Sequence, residues 1–108
     1  MEQTRALIAF SALAHESRLR IVRMLVVSGA GAMSAGDIAA ALDASSPSRV
    51  SFHLKQLEHA GLIFGRREGK SVIYSACWTD LADLVAFLMH DCCQGALPLL
   101  RSGHRIIF

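Results

Sequence analysis

Two stretches of this 108-residue chain carry side chains able to do chemistry. One is the adjacent pair Cys92-Cys93, with His90 and Asp91 before it and His104 in the tail; the other is Ser45 to Leu62, rich in hydroxyls and cations. Adjacent cysteines on a regular helix point about 100° apart. A single atom can bridge them only where a helix frays, and Gln94, Gly95 and Pro98 supply such an end. Three cysteines, an odd count with no Cys-x-x-Cys, argue against a disulfide scaffold, a zinc ribbon or a thioredoxin-like centre. Cys77, at the end of an alternating segment, reads as packing. His90, Asp91 and His104, with one or both thiols, leave open a site for Zn(II), Co(II) or Ni(II).

The second stretch predicts a helix. Ser45 and Ser46 can cap its free amides, Pro47 suits only its first turn, and Gly61 ends it. Val50, Leu54 and Leu57 recur at i, i+4, i+7 and make one narrow apolar stripe. Ser46 at the cap and Ser48, Arg49, Ser51, Phe52, His53, Lys55 and Gln56 on the other faces are then free to meet the base edges and phosphates of a DNA major groove. An ordinary solvated face would look similar, so the flanks decide. Upstream, Ser34 to Asp43 predicts a short helix a few residues away, giving a helix-turn-helix with the second helix as reader. Downstream, Leu62 to Arg67 and Ser71 to Cys77 predict two strands about a turn at Glu68-Gly69-Lys70. A hairpin bearing Arg66, Arg67 and Lys70 directly after a reader helix is a wing placed to hold phosphate.

Charge follows the same division. The net charge of +2 is too small to diagnose nucleic-acid binding. Residues 46–70, however, carry Arg49, Lys55, Arg66, Arg67 and Lys70 against Glu58 and Glu68, a balance of +3, whereas residues 1–45 balance to zero.

Leu19-Arg20-Ile21, Val50-Ser51-Phe52-His53-Leu54-Lys55-Gln56-Leu57, Ala60-Gly61-Leu62-Ile63 and Arg67-Glu68-Gly69-Lys70 with Tyr74 resemble the ArsR/SmtB family of winged-helix, metal- and metalloid-responsive repressors. The resemblance covers roughly residues 4 to 90. It implies a mainly α, winged helix-turn-helix fold with a small β-hairpin and a homodimer formed through the first and last helices; the length of 108 residues suits a single domain over 1–108. The resemblance also implies double-stranded operator DNA as partner.

Composition asks for a second chain independently. Hydrophobic residues make up 53% and the mean hydropathy is +0.40, high for a small monomer. Thr4 to Ala14 predicts a first helix with Leu7, Phe10 and Ala14 on one edge, broadened by Ile8 and Leu13. Residues Leu19, Val22, Leu25 and Val26 predict the core stripe of a second helix, with Arg18 and Arg23 outward. The last helix is expected from Thr79 as N-cap, with Leu81, Leu84, Val85 and Leu88 in line, and it leads into a tail; the two together span about 79–108. The apolar run after Arg5 imitates a leader but is short and continues into an amphipathic helix, and no run approaches a bilayer span, so a cytoplasmic protein without membrane contact is expected.

The segment from His90 to Gly95 resembles the carboxyl-terminal pattern of arsenic-responsive members, which usually adds a third cysteine; this tail has none. That resemblance implies a trivalent arsenical, arsenite or its methylated form, as inducer on Cys92 and Cys93. By ligand chemistry alone, Cys77, His90, Asp91 and His104 are weaker candidate ligands. No organic cofactor is implied. A thiol redox or persulfide switch, a Zn, Ni or Cd response, and packing of the two cysteines as small apolar residues are the alternatives. No base stands beside a nucleophile in a recognisable way, so an enzyme is not expected.

Overall fold

The computed structural model describes residues 1–28, 32–42 and 46–90. Its elements are α1 (Gln3–Leu13), α2 (Glu16–Val27), β1 (Met33–Ser34), α3 (Ala35–Ala41), α4 (Pro47–His59), β2 (Ile63–Glu68), β3 (Ser71–Ala76) and α5 (Trp78–Met89). This is the mainly helical winged arrangement expected, with one strand more. The sheet is antiparallel in the order β1-β3-β2. Its extra edge is β1, where Met33 lies opposite Tyr74 and Ser34 opposite Ile73. Glu68 pairs with Ser71, so Gly69 and Lys70 form a two-residue hairpin turn, and Gly69 has φ of 63°.

Ile21, Leu25, Ile38, Leu54, Leu57, Leu62 and Ile63 are fully buried and come from α2, α3, α4 and the start of the wing. The core thus fixes α4 against the helix before it and the strand after it. At its C-terminus Leu62 N–H donates to Leu57 C=O (3.0 Å) and Gly61 N–H to Glu58 C=O (2.9 Å). That pair of bonds, with Leu57 and Leu62 both buried, is a Schellman ending, and Gly61 takes its left-handed position at φ 79°. A Cβ on Gly61 would also stand 3.3 Å from the Arg5 guanidinium, which pairs with Asp80 at 3.8 Å and so joins α1 to α5 over the end of α4. Replacing Gly61 by Ala is expected to lower stability by about 1–2 kcal/mol, the strain of one left-handed residue. A fall in urea midpoint at unchanged m would show it.

Three helix faces differ from the hydropathy reading. On α1 the buried residues are Ala6, Ala9 and Ala12, while Leu7 and Ile8 are 60% and 46% exposed and Ala14 lies on the surface. Small residues let one helix approach another closely, so the alanines take the side against α2 and α4 and turn the bulk outward. On α2, Ile21 replaces Leu19 in the core, and Arg18 folds inward to a carbonyl of α1. On α5 only Leu84 is buried, Leu81 is half-buried, and Trp78, Val85, Leu88 and Met89 are exposed. The helix also starts earlier than expected: Cys77, not Thr79, is its N-cap, without a side-chain cap bond. No described helix is long and apolar enough to cross a membrane.

Candidate nucleic-acid interface

Ser34 caps α3 by accepting from the Asp37 amide at 3.0 Å, and Ser46 caps α4 by accepting from the Arg49 amide at 3.3 Å. The Ser46 hydroxyl also bonds Ser48 Oγ at 3.0 Å, so it holds the first turn of the reader in shape. From that fixed start Ser48, Arg49, Ser51, Phe52, Lys55 and Gln56 are all exposed, while Val50, Leu54 and Leu57 are buried on the opposite side.

His53 does not join the exposed face expected for it. It is 5% exposed and faces α2, because three residues after Val50 and four before Leu57 it falls on the edge of their buried stripe. Arg18 explains how an imidazole is tolerated there. Its Nε donates to the Ala12 carbonyl at 2.8 Å and its guanidinium meets His53 Nδ1 at 3.4 Å. An arginine can only donate, so His53 Nδ1 is the acceptor. The ring of His15 stands 4.5 Å from that of His53, and its own Nδ1 accepts from the Ser17 amide at 3.1 Å to cap α2. Burial first, then the nearby His15, Arg18 and Arg49, lower the His53 pKa from its usual value. The imidazole is therefore a structural joint between α1, α2 and the reader.

The wing brings one of its cations to the reader. A cleft of about 450 Å³ is lined by Ser34, Ser51, Lys70, Ser71 and Tyr74, so the start of α3, the reader helix and the hairpin tip share one surface. Arg67 and Lys70 are exposed. Arg66 is engaged within the wing instead: its guanidinium meets Glu68 at 3.0 Å and Ser75 Oγ at 3.5 Å. An exposed pair of this kind is worth about 0–1 kcal/mol, little enough for a phosphate to displace.

Of the candidate ligands, Asp91, Cys92, Cys93 and His104 lie outside the described residues. Cys77 is a free, half-buried thiol whose pKa is pushed up by burial and then by Asp80. Among the described residues no three His, Cys, Asp or Glu side chains gather as a metal centre.

A family described as a helix-turn-helix domain matches residues 13–64. The transcriptional activator HlyU of Vibrio cholerae is 31% identical, and its solved structure superposes with a TM-score of 0.67 over 87% of this chain and 100% of that one. A homodimeric winged helix-turn-helix DNA-binding domain from Mycobacterium bovis, described as a possible ArsR-family regulator, is 26% identical, with a TM-score of 0.66 over 96% of this chain and 89% of that chain. This chain belongs to the ArsR-like winged helix-turn-helix transcriptional regulators. The regulator is also 43% identical over 65 residues to the arsenical resistance operon repressor of Escherichia coli, a stretch covering 60% of this chain and 53% of that protein. It spans 65% of the length of two HTH-type regulators of Mycobacterium tuberculosis that it matches at 35% identity over 71% of its own length.

Proposed function

We propose that this ArsR-like regulator is a homodimeric repressor that holds double-stranded operator DNA through α4 and the wing, and releases it when a trivalent arsenical bonds Cys92 and Cys93. The observation that carries the DNA reading is the reader helix, which exposes Ser48, Arg49, Ser51, Phe52, Lys55 and Gln56 over a buried Val50, Leu54 and Leu57. Arg67 and Lys70 supply phosphate contacts beside it, and Arg66 joins them on leaving Glu68. The large exposed hydrophobics of α1 and α5 supply the dimer contact.

The arsenical reading rests on the chemistry of adjacent thiols and on the similarity to a repressor of arsenical resistance. Two thiolates complete a trivalent arsenic that already carries one carbon, whereas arsenite needs a third donor. Cys77 is a poor third donor because its thiol resists ionisation. Drawing the sulfurs of Cys92 and Cys93 onto one atom changes the chain directly after α5, and a coupling of about 1–3 kcal/mol to the dimer geometry suffices to lower operator affinity severalfold to a hundredfold. A second reading, a thiol redox switch, is favoured by one fact: HlyU has been solved in a form described as reduced.

Fluorescence anisotropy of the chain's own promoter DNA, titrated with arsenite, a methylated trivalent arsenical, cadmium and zinc, tests these readings. Release by an arsenical is expected, lost in Cys92→Ser and Cys93→Ser and kept in Cys77→Ser. Release by a mild oxidant alone, with two hydrogens lost by mass, would favour the redox reading. Because HlyU is named an activator, the sign needs its own readout: added protein should lower transcription from that promoter in vitro, and a rise would reverse the assignment.

A further inference from the structure

An exposed aromatic in the middle of a polar reader face is the feature that phosphate and hydrogen-bonding arguments leave unused. Phe52 is 55% exposed, between Ser48 one turn before and Gln56 one turn after, with Lys55 alongside. Its ring centroid is 5.8 Å from that of His53, inclined by 59°. His53 is itself buried and held by Arg18, so the Phe52 ring rests against a fixed neighbour. A phenyl group cannot pair with base donors or acceptors. In the major groove the apolar group it can cover is the 5-methyl of thymine.

Resting on the operator-binding reading above, we propose that Phe52 is a specificity-determining residue that selects thymine at one position of each half-site through its 5-methyl group. Cytosine at that position offers no methyl, and a purine presents polar edge atoms to the ring. Arg49 and Gln56 then read neighbouring positions by hydrogen bonds, while Phe52 reads by exclusion of water.

The test starts from duplexes enriched by the wild-type protein from a random-sequence DNA library. Each thymine of an enriched duplex is replaced singly by deoxyuridine, which removes the methyl and keeps the pairing, and affinities are read by anisotropy. One thymine per half-site should show a loss of about fourfold, the equivalent of one uncovered methyl group. In Phe52→Ala, an exposed substitution that leaves the core untouched, that deoxyuridine penalty should vanish, and libraries enriched by this variant should lose their thymine preference there. Equal affinity for thymine and deoxyuridine at every position, or a penalty that persists in Phe52→Ala, overturns the inference while the operator reading stands. Failure to enrich any duplex overturns both.

Discussion

Leu88→Asp is expected to turn a dimer into a monomer at micromolar concentration and to weaken operator binding by about a hundredfold or more, as loss of one of two linked half-site contacts would. Leu88 is 61% exposed, and Val85 (50%) and Met89 (40%) share its helix. Across on α1, which packs against α5, Leu7 and Ile8 are also exposed. Large apolar residues exposed on two packed helices are candidates for an interaction surface. In a two-fold dimer each substitution acts twice, so the variant buries two carboxylates without partners. Reader helices joined in this way meet half-sites about one DNA turn apart, and a monomer engages only one. Val27→Asp is the control. That residue is 74% exposed on α2, outside both helices, and should leave sedimentation and affinity unchanged. A Leu88→Asp protein that sediments as a dimer would put the interface elsewhere.

The same helices show how far the sequence could be read. The helix α4 was legible because three independent marks agree: a serine-proline start, a glycine end and a 3.6-residue apolar stripe between them. The wing was legible because Gly69 fixes the turn and therefore the register. Other features were not, and three of them show why. A strand of two residues, Met33–Ser34, is too short to show alternation, and its partner Tyr74 is distant in sequence. The alanine stripe of α1 was hidden because hydropathy ranks leucine above alanine, while close helix approach ranks them the other way. His53 was misplaced because its polarity outweighed its position one turn from both Val50 and Leu57, and the arginine that satisfies it lies 35 residues away. A signal for it existed, since Arg18 and His15 stand at the junction of two helices that must pack on the reader. Nothing in local periodicity, however, pairs Arg18 with His53.

That buried imidazole sets an expected pH dependence. In the folded chain His53 takes up a proton only below its usual pKa, because burial and then the charges of His15, Arg18 and Arg49 oppose it. The unfolded chain takes one up near the ordinary value of about 6.5. Between that value and the lowered one the unfolded state binds more protons, so the free energy of unfolding falls as pH falls through this window and is unaffected by His53 above it. Geometry gives the same sign, since a protonated Nδ1 could no longer accept from Arg18 and would set two cations face to face. Urea titrations at pH 7.5, 6.5 and 5.5 should therefore show declining stability, with a shallower decline in His53→Gln, whose amide oxygen can still accept from the guanidinium. An identical pH slope in that variant would mean that His53 protonates as readily folded as unfolded. Because the imidazole joins α2 to the helix that carries Arg49 and Phe52, the shallower slope should be matched by operator affinity that is less sensitive to acid in the variant than in the wild type.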